Sequence, residues 1–529
     1  MKSLHYFLLF IVAIPIVLAV ALFQKSPGYM DADYYYAIGL RLNRGDGFSE
    51  PFLWNYLDNP NGIPHPSNTY WMPLPSILAF LGMYLTGIEG YFAARLGFLL
   101  LAGLIPVITC ALSYTITRQR DQALYAGILA CIPAFYLPYL GTIDSFSITI
   151  VLGGLWFLVV ANNSQLGTKQ LGFCLGLISG FIHLTRADGV IWLLLAFLVI
   201  VRVNAIYEVQ SGRAVSWMDK FVALTLCFIG YALVIAPWIA RNVSVMGTLF
   251  SPGGVKTLWL TDYDELYSFP ASLLNYGHWW QSGILEIMKV RLYALGQNLQ
   301  TFLAVQGEIF LLPLILAGLW CYRKNLAVQM GLLGWLLTLL VMTFVFPFVG
   351  WRGGFFHSGA ILQSLFLAMV PVGLAMFIQW GVRVRKWNAR QAGSVFKGAT
   401  VCIALMLTII IVSRRVIGSD LVNPIWGKDQ VQYQQLENAL RSMEVKDSDI
   451  FLVNNSPGFY VATGRQALSV PNGDVATLLQ AARKYGGDYL LLEPNHPAAL
   501  GDLYAQPGDR PGLRYLNKIG DTQVYLIEK

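Results

Sequence analysis

Asp31 and Asp33 stand two residues apart in the stretch GYMDADYYYAIGLRLNRGD, directly after a long apolar run near the amino terminus. A carboxylate so placed can act as general base toward a hydroxyl or amide, or ligate a divalent cation. Either task needs a fixed, partly desolvated oxygen. Aspartate at a helix start also accepts backbone N–H bonds, so the same pair reads as a cap for a helix opening at Tyr34, and the two readings are compatible. Asp144 in YLGTIDSFSIT has the same two readings. Arg352 and His357 lie in FVGWRGGFFHSGA, where an arginine between a tryptophan and two glycines can offer a planar charged fork to a phosphate. A snorkelling arginine at a membrane interface is the plainer alternative. Asp58 and His65 belong to WNYLDNPNGIPHPSNTYWMPLPS. His65 reads as a loop surface residue, because no second histidine stands at ligand spacing. Arg186 and Asp188 in HLTRADGVIW sit between apolar spans and are expected to pair with each other.

The elements that must position these groups are set by composition. The 529 residues are 56% hydrophobic and 12% charged, about half the charge of a soluble domain, so most of the chain needs lipid. Apolar runs at 6–23, 91–116, 122–139, 145–161, 170–184, 188–201, 220–237, 299–319, 326–347, 356–381 and 398–413 make about eleven transmembrane helices. Their continuous hydrophobicity disfavours a β-barrel, whose strands alternate. Lys2 and Ala19-Val20-Ala21 give the first run some character of a signal peptide, but its length favours an uncleaved span.

Lys and Arg gather in the loops 118–121, 162–169, 202–220, 321–325 and 381–397, which the positive-inside rule makes cytoplasmic. The amino terminus is then cytoplasmic and the carboxyl terminus outside. The formal charge of +7 therefore marks topology, and no nucleic-acid partner is expected. The six cysteines fall in or beside apolar spans without CxxC spacing, so neither a disulfide framework nor a cysteine metal site is expected. The expected organisation is a transmembrane domain, 1–419, with long outer loops at 24–90 and 238–298, followed by a small extracytoplasmic α/β domain at 420–529. In the first loop, Pro73 to Leu85 is apolar but short and reads as an interfacial helix.

An aspartate just after the first span, an aromatic-rich helix, a glycine turn and a W-x-P-L stretch together resemble the C-type (GT-C) glycosyltransferases. That superfamily includes protein mannosyltransferases, lipid A aminoarabinose transferase and the catalytic subunit of oligosaccharyltransferase. The match rests on Asp31, Asp58, Pro60, Gly62, His65, Trp71 and Pro73, with Gly141 and Asp144 as an independent point in the second loop. Asp31 takes the place of the family's first-loop aspartate, with Asp33 as the alternative. Ser145 and Phe146 stand where relatives carry acidic or histidine companions.

The resemblance implies inverting transfer of a sugar from a polyprenyl-phosphate or diphosphate donor to a glycan, lipid or protein acceptor at the outer face of a plasma (inner) membrane. Asp31, or Asp33, would be the catalytic base. Asp58, His65, Asp144, Arg241, Arg352 and His357 would bind substrate, with Arg352 on the leaving phosphate and Arg241, in APWIARNVSVMGTLF, as a second candidate for that task. No cofactor is certain. A divalent cation, magnesium or manganese, would fall to Asp31 and Asp144, and the absent acidic companion favours weak or no metal dependence. A secondary transporter or flippase for a lipid-linked glycan is the rival reading. It would call for paired halves and midplane charges, whereas here the polar groups collect toward one face.

Overall fold

The computed structural model describes residues 2–163, 165–211, 216–443 and 445–528. The expected loops at 162–169 and 202–220 include positions 164 and 212–215, which lie outside the described residues. The chain divides into two compact units. The first comprises Met1–Phe23, Arg95–Arg241 and Arg291–Gly418, and the second Gln24–Ala94, Asn242–Val290 and Ser419–Lys529.

The apolar runs fold as helices because a backbone in lipid must satisfy its own hydrogen bonds. Among the described residues six helices are long and apolar enough to cross a membrane: Ser3–Ala21, Tyr91–Thr117, Trp217–Met246, Leu326–Val345, Pro347–Arg385 and Ala389–Ile417. The chain is thus a multi-pass membrane protein. Pro347–Arg385 has 78% of its apolar window buried and Ala389–Ile417 only 17%, which puts one at the core of the first unit and the other at its rim. Close helix approach is made by small residues. A Cβ on Gly318 would lie 2.2 Å from the Met369 carbonyl oxygen, and one on Gly373 would lie 1.9 Å from that of Leu314. Helices Leu312–Cys321 and Gln363–Arg385 therefore touch backbone to backbone at two levels.

Two expected runs are not single helices. The run 122–139 breaks after Arg120–Ala130 and resumes at Leu137–Leu140. Pro133 and Pro138 stand in and just after the gap, where each lacks the N–H a continuous helix would use. The run 299–319 is interrupted between Gln306 and Leu312, where Glu308 and Ile309 take left-handed φ values of 44° and 57°.

In the second unit the short apolar segment of the first loop is a helix, Leu74–Thr86. The expected helices and strands near the carboxyl terminus appear as Lys428–Ser442, Phe451–Val453, Val475–Tyr485, Tyr489–Leu492 and Thr522–Ile527. They build a six-stranded sheet in the order Phe52–Leu53, Ala467–Ser469, Phe451–Val453, Tyr489–Leu492, Thr522–Ile527, Leu513–Ile519. The first four strands run parallel and the last two pair antiparallel. One edge is thus supplied by the first loop, through Phe52 opposite Ala467 and Leu53 opposite Leu468. Leu452, Leu468, Leu490 and Tyr525 fill the core beneath helix Val475–Tyr485.

Candidate active site

In the first unit Asp144 is the N-cap of helix Ser145–Ala161, its carboxylate accepting the Ser145 N–H. It is 1% exposed. His357, 213 residues further on, brings its Nδ1 to 3.6 Å from Asp144 Oδ1 and 3.2 Å from Ser145 Oγ. The imidazole companion that the sequence around Asp144 lacks is supplied by another helix. Ser145 and Phe146 seat it: the Phe146 ring stacks on the His357 ring with centroids 4.2 Å apart. Phe356 beside it stacks on Tyr136 at 5.1 Å, and the Tyr136 hydroxyl donates to the Phe356 carbonyl at 3.1 Å.

Arg186 pairs with Asp188 at 3.0 Å as expected, but it also donates to Ser358 Oγ at 3.0 Å, next to His357. A second arginine, Arg95, escaped the sequence reading. It is 1% exposed and donates to the carbonyls of Gly141 at 3.0 Å and Ala21 at 3.2 Å, tying the turn before Asp144 to the end of the first span. Its place just ahead of an apolar helix was the available signal, since a buried charge there must serve some partner.

Asp144 and His357 together offer a carboxylate oxygen and an imidazole nitrogen, a pair that suits manganese or another borderline divalent ion better than magnesium. Arg352 is exposed, with its guanidinium 4.7 Å from the Trp351 ring centre. Gly353 beside it has φ 136°, so the chain turns there before helix Phe355–Gly359 begins. Arg241 lies 4.8 Å over the Trp238 ring.

In the second unit the helix expected to open at Tyr34 opens at Met30. Asp31 and Asp33 therefore stand inside its first turn, where negative charge suits the helix dipole, and neither is the N-cap. Asp31 is partly exposed. Asp33 is 6% exposed and accepts from Asn455 Nδ2 at 2.9 Å. Burial drives its carboxyl up to about 7, with the charges of Asp429 and Asp31 adding to the shift and the Asn455 bond opposing it.

His65 is a buried residue, contrary to the surface reading, at 6% exposure. Strands Ser49–Glu50 and His65–Pro66 set Glu50 across from His65. His65 Nδ1 lies 3.1 Å from Glu50 Oε1, and Nε2 lies 2.6 Å from Asp58 Oδ2. Burial opposes a charged ring, but the bonds to Asp58 and Glu50 prevail and raise His65 to about 10. The Tyr34 hydroxyl donates to Glu50 Oε2 and accepts the Asn68 N–H, both at 2.6 Å. Trp71 stacks on Trp54 with ring centres 4.0 Å apart. Asp58, His65 and Trp71 of the first-loop motif thus knit the loop to itself and to the base of helix Met30–Asn43.

Sequence comparison finds no match: neither a protein-family model nor a curated protein matches the chain. The fold does have counterparts. ArnT from Cupriavidus metallidurans bound to undecaprenyl phosphate is similar over 99% of this chain and 98% of its own, at 12% identity and TM-score 0.56. The same protein in the apo state is similar over 97% of both chains, at 11% identity and TM-score 0.55. An Archaeoglobus fulgidus oligosaccharyltransferase in the apo form aligns over 95% of this chain and 71% of its own at 11% identity, with a TM-score of 0.49. On the strength of the ArnT match the chain has a GT-C-like fold.

Proposed function

We propose that this protein is an inverting glycosyltransferase that moves a sugar from a polyprenyl-phosphate donor to an acceptor at the outer face of a plasma membrane. The observation that carries the reading is the near end-to-end likeness to a structure holding undecaprenyl phosphate. The first unit adds chemistry suited to it, in the juxtaposed Asp144 and His357 and in Arg352 at a chain turn.

In this reading Asp31 takes the proton from the acceptor hydroxyl or amide as that atom attacks the anomeric carbon from the side opposite the phosphate. The sugar–phosphate bond breaks, and the lipid phosphate leaves with inversion at the sugar. Arg352 meets the developing charge on that phosphate with its fork, and Arg241 is the second candidate for the task. Asp144 and His357 hold the acceptor, or a divalent cation where one is used, and such an ion would polarise a phosphate oxygen. Asp31 is preferred to Asp33 because it is the more exposed of the two. Asp58 and His65 hold the first loop in shape. The reading keeps about eleven spans, the shorter and interrupted apolar helices crossing with the six long ones, and an extracytoplasmic carboxyl-terminal region.

The test uses full-length protein in nanodiscs with radiolabelled undecaprenyl-phosphate sugars and membrane extract as acceptor. Asp31→Asn is expected to lower transfer by at least about 10²-fold, the scale of a lost general base. Arg352→Lys is expected to raise the donor KM while the protein still folds. Full transfer by Asp31→Asn would overturn the assignment of the base, and absence of transfer by the native chain with every donor would overturn the reading.

A further inference from the structure

Helix Met30–Asn43 has a second working face. Neighbouring residues on an α-helix are about 100° apart, so Asp31 and Asp33 project to nearly opposite sides. On the Asp33 side, Tyr36, Leu40 and Arg44 follow at steps of three and four residues, the spacing of one helical stripe. All four line recesses within the second unit.

The larger recess, about 200 Å³, lies over Tyr36, Leu40 and Arg44 and is walled by Glu89, Gln430 and Val461. The smaller lies at Asp33, beneath Asp429, Tyr433 and Gly458. Gln430 belongs to the wall of both, so the two recesses adjoin, the smaller being only about 10 Å³.

The lining specifies a kind of ligand. Lys25 and Arg44 are balanced by Glu89 and Asp429, and Arg44 is already bound to Glu89 at 2.6 Å, so no surplus of positive charge awaits a phosphate. Burial raises the Asp33 carboxyl to about 7, and it pushes the Tyr36 hydroxyl up to about 12 and keeps it a donor. Two buried oxygens in the walls, Gln430 Oε1 and Ser26 Oγ, have no hydrogen-bond partner among the described residues. The Tyr36 and Tyr91 rings meet edge to face with centres 5.5 Å apart. Phenol rings beside amide, hydroxyl and carboxyl groups, with no net charge, suit a ligand that carries C–H faces and many hydroxyls.

We propose that the larger recess is a carbohydrate-binding site that takes a neutral sugar ring of a glycan acceptor, on the face of the helix turned away from Asp31. The acceptor role rests on the glycosyltransferase reading; the sugar-binding property does not.

The test measures the binding of fluorescein-labelled neutral trisaccharides, glucan, mannan, galactan and arabinan, to the full-length protein in nanodiscs. At least one is expected to bind. Val461→Trp, which fills the larger recess, and Gln430→Ala, which removes its shared wall, are each expected to weaken that binding about tenfold while thermal unfolding stays in place. Two variants are used because the bulky one alone could disturb packing. The proposal is overturned if no trisaccharide binds, if both variants bind like the native chain, or if inorganic phosphate or an unglycosylated peptide displaces the sugar. Transfer from the lipid donor is assayed separately. Sugar binding without transfer keeps the recess as a sugar site and removes the acceptor role, while transfer without sugar binding overturns the recess as a sugar site and leaves the glycosyltransferase reading standing.

Discussion

Two buried ionisable groups make the sharpest claims at the level of single residues. Asp33 has a folded-state pKa raised from 3.8 to about 7, so between those values the folded protein binds more protons than the unfolded chain. Stability must then fall as pH rises through that window, by an amount on the order of 4 kcal/mol when complete. Thermal unfolding followed by tryptophan fluorescence from pH 4 to 8 should show the native chain losing stability with rising pH. Asp33→Asn, which keeps an oxygen for Asn455, should show a distinctly flatter profile; parallel profiles would mean that Asp33 ionises without cost. His65 makes the opposite kind of claim, because its charge is wanted by Glu50 and Asp58. Its stabilisation is fully present below about 6.5 and is lost as pH climbs toward 10. His65→Gln leaves two buried carboxylates facing each other and should destabilise by about 3–5 kcal/mol. Adding Glu50→Gln should return part of that loss in a denaturation series, and failure of the second change to help would break the bridge model.

Helix contacts in the first unit depend on glycines at a few levels, and one contact is open to a clean comparison. A Cβ on Gly176 would stand 1.9 Å from the Cys227 carbonyl oxygen, so helices Thr168–Thr185 and Trp217–Met246 must part to admit it. Gly176→Ala should lower stability by about 1–3 kcal/mol, the scale of overpacking. Gly393, inside helix Ala389–Val412 with open space where its Cβ would be, should accept alanine with no loss. Equal unfolding temperatures for the two variants would contradict the packing. The same scale explains what was legible beforehand. Apolar runs announce helices because twenty residues average out local noise, but averaging also hid the breaks at Pro133 and at Glu308–Ile309. Strand Phe52–Leu53 is too short to display a period of two, so no pattern reading could find it. Helix Ser456–Thr463 had a usable signal in Asn455 as N-cap and Pro457 in the first turn, and was overlooked. Asp144 was legible by type and spacing, whereas its partner His357 was fixed only by folding.

For the molecule as a whole, the distribution of Lys and Arg makes the claim with the widest reach. Reporter fusions after Arg118, Lys169 and Arg390 should read cytoplasmic, and fusions near Asp58, Lys256 and the carboxyl terminus should read external. A cytoplasmic carboxyl terminus would overturn the span count and the outer location of the sheet. That sheet also imposes a clock. Its edge strand Phe52–Leu53 pairs with Ala467 and Leu468, and Tyr56 bonds to Ser469, a partner 413 residues later. At roughly 5–20 residues per second of synthesis, the first loop waits on the order of 20 to 80 seconds, with an unpaired edge, before its neighbour is made. During that interval the nascent chain is most exposed to proteases and to mispairing with other extended segments. A ribosome that stalls anywhere short of residue 467 leaves behind a chain whose first loop has no edge to join, whatever the state of its helices.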